Sequence, residues 1–196
     1  MKNRAAPLLG LILAACAAAP DVPAGMAPPP EGSILFLPPL AEMTLVTASG
    51  LREEQADWSH LAALNLGNAL SGTVPDEARD ETETARMLAQ DLARKLAGMP
   101  PDLAEDSSGD YYGLILVSYD VESSASQLVQ TGLGVMFGGM PGPDGIDQSA
   151  QLVLIRKDTR EPVWSVQVKP GDPRDPQAAK RLIDGLIAAS SGSTGF

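Results

Sequence analysis

The sequence has little of the residue types that carry most protein chemistry. Among its 196 residues it has one cysteine, one histidine and only 4% aromatic residues. A single cysteine excludes a disulfide bond within the chain, and one histidine leaves too few nitrogen and sulfur ligands for a zinc site. Scarce aromatic side chains also argue against single-stranded nucleic acid as a ligand, because such binding relies on stacking platforms.

Basic residues are scarce too. The net charge is −11 at pH 7, and the 14 basic residues include Lys2 and Arg4. Without residues 1–15, 12 basic residues stand against 25 acidic ones, a net charge of −13. A surface this acidic repels phosphate backbones and anionic lipid headgroups. We therefore expect no nucleic-acid partner and no membrane contact through a basic patch.

The first 15 residues have the form of an export signal. Lys2 and Arg4 make a positively charged start. Ala5 to Leu13 form an apolar stretch that is too short to span a bilayer, which takes about 20 residues. The stretch from Leu13 to Cys16 then reads Leu-Ala-Ala-Cys. This motif resembles the lipobox of bacterial lipoproteins.

The resemblance implies a lipid anchor at Cys16. In such lipoproteins a diacylglycerol is attached to the cysteine sulfur, the signal is cut just before the cysteine, and the new amine is acylated. Two or three acyl chains hold a protein stably on a membrane, whereas one does so only marginally. The next residue is Ala17 rather than Asp, which favours the inner leaflet of the outer membrane, facing the periplasm. The alternative is an ordinary cleaved signal, in which Ala17 to Ala19 supply the cleavage site and Pro20 follows the cut.

Residues 16–32 are expected to form a tether between the anchor and a domain. The stretch contains five prolines and no periodic apolar pattern, and proline-rich linkers are extended and semi-rigid. Residues 33–191 are then expected to form a single globular α/β domain, since about 160 residues suffice for one core but not for two.

Apolar periodicity predicts about four strands and three helices in this domain, packed as an α/β sandwich with a mixed sheet. The predicted strands lie at 33–37, 113–121, 151–156 and 162–168, the last two as a hairpin. The predicted helices lie at 51–64, with Trp58, Leu61, Ala62 and Asn65 on one stripe, at 76–97, and from Pro176, which Asp175 caps.

Three short motifs accompany this order of elements. They are Leu37-Pro38-Pro39 after the first strand, Val163-Trp164 in the hairpin, and Gly171-Asp172-Pro173-Arg174 before the last helix. Together they resemble a group of small bacterial envelope lipoproteins with a TolB-like N-terminal fold. The resemblance implies a role in envelope assemblies by binding rather than by chemistry. The turn Thr159-Arg160-Glu161 departs from the group's usual Thr-Gly, so the turn type of the hairpin stays open.

A glycine-rich run from Gly132 to Gly142 carries a candidate partner-binding loop. Leu133, Val135, Met136 and Phe137 are predicted to face a protein or lipid partner, because exposed apolar patches mark interaction sites and methionine suits adaptable surfaces. A mobile loop without a partner is the plain alternative. Nucleotide binding fits less well, because the glycine spacing is one residue off the dinucleotide pattern. A pore hairpin would need sustained alternation over two strands.

No catalytic, cofactor or metal site is predicted. His60 is interpreted as a surface or helix-cap residue, since no Gly-x-Ser-x-Gly elbow accompanies it. An acidic cluster precedes the second predicted strand without the Asp-x-Asp-x-Asp-Gly order of a calcium loop, and is interpreted as a solvated loop. It consists of Asp102, Glu105, Asp106 and Asp110.

The sequence therefore predicts a membrane-anchored, non-enzymatic binding or accessory module of an envelope complex. Cys16 is the predicted lipidation site, and an envelope protein is the predicted partner. One alternative is an envelope hydrolase with an unmarked pair of carboxylates, which a concave pocket with two convergent acids would reveal. Another is a subunit of an oligomeric secretion or pore assembly. The oligomeric state is open.

Overall fold

The computed structural model describes residues 29–47, 49–98, 110–123 and 148–191. These ranges contain six strands and three α-helices. In chain order the elements are β1 (Ile34–Phe36), β2 (Leu40–Val46), β3 (Arg52–Glu54), α1 (Ala56–Ser71), a short 3-10 helix (Asp76–Ala78), α2 (Glu83–Leu96), β4 (Tyr111–Glu122), β5 (Gln148–Arg156), β6 (Pro162–Val168) and α3 (Pro176–Ser190). Within those ranges, no helix is both long and apolar enough to cross a membrane.

The strands form one mixed sheet in the order β3-β2-β4-β5-β6, with β1 paired to the first part of β4. β1 and β2 both run parallel to β4 and lie end to end along it, since Phe36 pairs with Gly113 and Leu40 pairs with Leu116. β5 is antiparallel to β4, and β6 is antiparallel to β5. The predicted α/β sandwich with a mixed sheet is confirmed, with six strands where about four were predicted.

Helices cover both faces of the sheet. Side chains alternate along a strand, so Ile115 and Val117 of β4 point to one face and Tyr112 and Leu114 to the other. The first pair packs with apolar residues of α1 and α3, and the second pair packs with apolar residues of α2. All four side chains are buried. β4 is therefore a central strand covered on both sides, which agrees with its run of apolar residues.

Two of the strands do not follow the sequence patterns. β2 comes directly after Pro38-Pro39 and mixes polar with apolar residues, so neither alternation nor a continuous apolar run marks it. The sequence also predicts Arg52 to Glu54 as the first turn of a helix, and this is wrong. Val46 lies opposite Arg52 in an antiparallel pair, and this pairing with β2 makes the segment a strand.

α1 begins later than the predicted range of 51–64, because residues 52–54 form β3. It also ends later, because the helix continues through Gly67 to Ser71. Leu66 and Leu70 are buried against the sheet, and their burial outweighs the helix cost of one glycine, about 1 kcal/mol. The predicted buried stripe is wrong at Leu61, which is 43% exposed. Its other members are buried or half-buried, namely Trp58, Ala62 and Asn65.

The other two helices differ in how well their starts were predicted. α2 begins after Thr82 rather than at residue 76, because the Oγ1 of Thr82 accepts a hydrogen bond from the N–H of Ala85 at 3.1 Å. Asp76 and Glu77 belong to the 3-10 helix instead. α3 begins as predicted, with Pro176 in the first helical position and the carboxylate of Asp175 accepting from the N–H of Gln177.

The turn between β5 and β6 confirms the predicted hairpin and gives its turn conformation. Arg160 has a φ of 55°, in the left-handed region where glycine is usual. The N–H of Arg160 donates to the carbonyl of Arg156 at 2.9 Å, and the carbonyl of Arg160 accepts a hydrogen bond from the Nζ of Lys95 at 2.7 Å. The guanidinium of Arg160 lies 4.0 Å from the buried carboxylate of Asp91. Lys95 and Asp91 of α2 therefore hold Arg160 in a backbone conformation that glycine adopts more readily.

Candidate binding cleft

A cleft of about 440 Å³ opens at the edge of the sheet, beside the break between β1 and β2. α1 forms one wall of the cleft. The segment from Arg79 to Glu81, together with Arg86 and Gln90 of α2, forms the other wall, and the strand break forms the floor. Because α1 and α2 pack on opposite faces of the sheet, the cleft lies between the two helical layers.

The cleft exists because the outer edge of the sheet is interrupted at Pro38-Pro39. On one side of the break, the carbonyl of Phe36 accepts a hydrogen bond from the N–H of Asp80 at 3.0 Å. On the other side, the N–H of Met43 donates to the Oγ of Ser59 at 2.9 Å. Among the described residues, no strand pairs with the outer edge between these two points. Since proline has no N–H, the two prolines add no unpaired backbone donor to the floor.

The wall formed by α1 contains a row of small side chains. Ser59, Ala63, Gly67 and Ser71 all line the cleft, and their four-residue spacing places them in one row along the helix. A Cβ added to Gly67 would meet no atom within 4 Å. Packing therefore does not require glycine there, although glycine inside a helix costs about 0.5–1 kcal/mol relative to alanine. The missing side chain keeps the cleft wider.

Arg79 is a buried cation that lines the same cleft. Its side chain is only 9% exposed and pairs with the carboxylates of Asp76 and Glu81. Its position is fixed because its backbone forms a parallel bridge with Phe36. Its Nε has no hydrogen-bond partner among the described residues. A buried donor without a partner costs about 1–3 kcal/mol, so Arg79 is held beside the cleft at some cost in stability.

The two lips of the cleft differ in character. One lip lies in segment 76–83, which has five acidic residues. Two of them line the cleft and two more pair with its lining arginines, and these four form the lip. The opposite lip, on α1, presents Leu64, which lines the cleft and is 53% exposed. Leu61, 43% exposed, lies three residues earlier on the same helix, outside the cleft lining. We call these two leucines the apolar lip. The acidic lip consists of Asp76, Asp80, Glu81 and Glu83.

Several polar side chains of the cleft hold its walls in place. The Oγ of Ser59, which accepts from Met43, also donates to the carbonyl of Gln55 at 3.0 Å. The Oδ1 of Asp80 accepts from the N–H and the hydroxyl of Thr82 at 3.0 and 2.7 Å. In the part of the chain that the structure describes, no group of three or more His, Cys, Asp or Glu side chains could hold a metal ion.

The residues singled out in the sequence are placed as follows. His60 is exposed on α1 and lines the cleft, in agreement with its interpretation as a surface residue. Asp110 stands just before β4, where its Oδ2 accepts from the N–H of Ser33 at 2.9 Å. The other candidates lie outside the described residues, namely Cys16, Leu133, Val135, Met136, Phe137, Asp102, Glu105 and Asp106.

The motif before α3 fastens that helix to α1. The Nε and Nη2 of Arg174 donate to the two carboxylate oxygens of Asp172 at 3.0 and 2.5 Å. The same guanidinium lies 4.4 Å from the centre of a ring of Trp58, within the range of a cation–π contact. The Nδ2 of Asn65, a buried residue of α1, donates to the carbonyls of Pro173 and Arg174 at 3.2 and 2.9 Å. The motif therefore ties the start of α3 to the packed side of α1.

These contacts shift the pKa of the groups involved. The hydrogen bonds from Arg174 lower the pKa of Asp172, although its partial burial acts in the opposite direction. The hydrogen bond to Asp172 likewise raises the pKa of Arg174. Burial, followed by the negative charge of Asp172, raises the pKa of Tyr119 on β4. The charged form of the Asp172–Arg174 pair is therefore favoured in the folded state.

The cleft as a whole was not predicted from the sequence, because its walls come from four separate segments. The signal that could have revealed it is the recurrence of small residues at positions 59, 63, 67 and 71 of the sequence. Chemically, the cleft offers aliphatic surface, a buried cation and a row of exposed carboxylates. Neither a protein-family model nor a curated protein matches the chain.

Proposed function

We propose that the chain is a lipid-anchored periplasmic protein whose domain binds a segment of another envelope protein, without catalysing a reaction. Lipidation at Cys16 would fix it to the inner leaflet of the outer membrane. The proline-rich tether of residues 16–32 would let the domain reach at most about 50 Å from the anchor. The cleft supplies the place of contact. The apolar loop at 133–137 stays a second predicted contact.

The observation that carries this proposal is the open space beside Gly67. No neighbouring atom requires glycine at this position, yet a glycine inside a helix lowers stability. Any other side chain there would narrow the cleft. A cavity that is kept open at a cost in stability, and that has aliphatic side chains and a few polar groups in its lining, is typical of a site that receives a ligand.

The exposure of the apolar lip points to a protein as the ligand. A site for a small molecule encloses most of the surface of that molecule. Leu61 and Leu64 instead stand on the outside of α1, half exposed, where only a larger partner would cover them. Exposed aliphatic residues next to a cleft are typical of protein–protein contact.

The hydrolase alternative gains no support from the carboxylates of the cleft. Asp80 accepts two hydrogen bonds from Thr82, the residue that caps α2. Glu81 pairs with Arg79. Both carboxylates therefore help to hold the segment before α2, which forms one wall of the cleft.

Site-specific photocrosslinking in the native cells tests the proposal. A photoreactive phenylalanine analogue at Leu64 of the full chain is expected to form an adduct with an envelope protein, identified by mass spectrometry. The matched control is the same analogue at Val163, which is 40% exposed on β6 at the opposite edge of the sheet. Equal adducts from the two positions would contradict a specific contact at the cleft.

A second set of variants shows whether the space in the cleft is used. Gly67→Phe, which fills the cleft, should abolish the adduct from Leu64, whereas Gly67→Ala should retain it. A chain without residues 133–140 that still gives the adduct would separate the cleft from the predicted loop. An adduct that survives Gly67→Phe would exclude the cleft as the binding site.

The anchor is tested separately by the mass of the mature N-terminus. We expect the loss of residues 1–15 and a diacylglycerol on Cys16. Cys16→Ser should release the protein into the soluble periplasmic fraction. Cleavage after Ala19, or an unmodified Cys16 in the mature protein, would refute the anchor and leave the cleft untouched.

A further inference from the structure

We infer that the occupant of the cleft is a short protein segment in which an aliphatic or aromatic side chain lies within a few residues of Lys or Arg. This inference rests on the proposed function and adds the chemistry of the partner. It follows from the different character of the two lips, which present carboxylates on one side and leucines on the other.

The acidic lip carries more charge than its own arginines neutralise. Its four carboxylates face Arg79 and Arg86, and the charge of Lys157 acts on Asp80, which leaves a net charge of −1. Asp76, Glu81 and Glu83 are 94%, 67% and 74% exposed, so their oxygens remain accessible to a further cation. The net charge of the whole chain, −11, acts in the same direction, because a field of one sign steers a partner of the opposite sign.

The other half of the recognition is apolar. Leu64 is 53% exposed and lines the cleft, next to the space that Ala63 and Gly67 leave open. At 1.5 Å per residue, the row from Ser59 to Ser71 is about 18 Å long. This is the length of roughly five or six extended residues. The cleft therefore suits a short segment that inserts one or two apolar side chains.

The strand break decides how such a segment binds. Addition of a strand to a sheet edge needs backbone donors and acceptors in alternation along the edge. Pro38 and Pro39 have no N–H groups, so the edge at the floor of the cleft cannot offer a regular series of backbone donors. Insertion of a side chain does not need those donors. Side-chain contacts, rather than a continued β-ladder, therefore determine which segment fits.

The same charges disfavour other macromolecules. Anionic lipid headgroups and phosphate backbones would meet the acidic lip and the acidic chain as like charges. A basic protein segment meets the same carboxylates as opposite charges. Binding of an anionic membrane through the cleft is therefore an outcome that the inference excludes.

Peptide selection on the full-length protein in detergent micelles tests the inference. A phage-displayed library of random ten-residue peptides is selected on the parent chain, and clones that also bind Gly67→Phe are removed. We expect the remaining clones to combine an aliphatic or aromatic residue with Lys or Arg within three positions. Remaining clones without basic residues, or no enrichment at all, would overturn the inference.

The two lips are then tested with a synthetic copy of the most enriched peptide. Glu81→Gln combined with Glu83→Gln should weaken its binding about three- to tenfold at low salt and reduce the salt dependence. Leu64→Ser should weaken binding by about tenfold or more. Val163→Ser, which removes an aliphatic side chain of similar exposure from the opposite edge of the sheet, should leave binding unchanged. Circular dichroism of each variant checks that the fold is retained.

The outcomes separate this inference from the proposed function. An adduct at Leu64 in cells, together with selected peptides that lack basic residues, would leave the proposed function standing and overturn the inference. Enrichment of basic clones without any adduct in cells would support the chemistry of the cleft and refute the envelope partner. Phosphatidylglycerol vesicles that bind the parent chain but not Gly67→Phe would overturn the inference in favour of a membrane.

Discussion

Two sides of α1 are built in opposite ways. On the side that faces the sheet and α3, Ala62 and Leu66 are fully buried. On the side that faces the cleft, Ala63 and Gly67 leave space next to an exposed leucine. Burial of the packed side holds the helix in position. The side that faces the cleft therefore does not need to be packed for the fold to be stable. A single helix can thus form part of the core and also keep one side unfilled.

The largest effect is expected from paired leucine truncations on the two sides. Leu66→Ala removes a fully buried side chain and should lower the free energy of unfolding by about 2–5 kcal/mol. Leu64→Ala removes a half-exposed side chain and should cost less than about 1 kcal/mol. Urea unfolding followed by circular dichroism measures both. Equal losses would mean that the cleft side is also packed, and would remove the contrast.

Paired asparagine substitutions should give a smaller difference of the same sign. Asn65→Ala leaves the carbonyls of Pro173 and Arg174 without their side-chain donor and should cost about 1–3 kcal/mol. Asn68→Ala changes an exposed residue that lines the cleft and should stay within about 0.5 kcal/mol of the parent. The same urea titration compares them, and a loss at Asn68 as large as that at Asn65 would contradict the assignment of the two sides.

Substitution of the glycine on the cleft side of α1 should raise the free energy of unfolding, whereas the preceding substitutions lower it. Gly67→Ala adds a methyl group into empty space and should raise the free energy of unfolding by about 0.5–1 kcal/mol. Ala63→Gly, one turn earlier on the same side, should lower it by a similar amount. Thermal unfolding of the two variants and the parent measures the shifts. A destabilising Gly67→Ala would show that the space is already occupied, and would weaken the case for a binding cleft.

The smallest effect concerns the contact of α3 with the packed side of α1, and it depends on pH. The folded-state pKa of Asp172 is lowered by Arg174, so this carboxylate stabilises the fold above its unfolded pKa of about 3.9. That stabilisation is lost as the pH falls through the folded-state value. Asp172→Asn should therefore be less stable than the parent near pH 7, and the difference should shrink below about pH 4. Urea midpoints measured across this range check it, and a difference that does not change with pH would contradict the role of the charge.

The sequence predicts best where local chemistry alone decides the structure. The start of α3 needs only a capping residue and a proline, which Asp175 and Pro176 supply. The strand pair β5 and β6 follows from apolar runs on either side of a short polar turn. The four-strand estimate falls short because β2 and β3 owe their strand conformation to pairing with distant or neighbouring strands, which the residues themselves do not signal.

The cleft could not be predicted in the same way, because it depends on contacts between distant segments. Asp80 reaches the carbonyl of Phe36, and Ser59 reaches the N–H of Met43. Gly67 reads in the sequence as a helix interruption, since local propensity counts a glycine as a weakness. Only the packing of its neighbours shows that the helix continues and that the glycine faces open space.

The place of β1 in the chain has a mechanical consequence. The strand runs parallel to β4, and the carbonyl of Ser33 just before it accepts from the N–H groups of Asp110 and Tyr111 at 3.1 and 3.0 Å. A pull directed back along β1 from a tether would load these hydrogen bonds together, in shear, rather than opening them one by one. The floor of the cleft follows within three residues of β1, at Leu37 to Pro39. Force between an anchored tether and a partner held in the cleft would therefore enter the domain through this short stretch and reach the partner through the cleft walls on α1 and α2, whereas α3 and the β5–β6 hairpin contribute no residue to those walls.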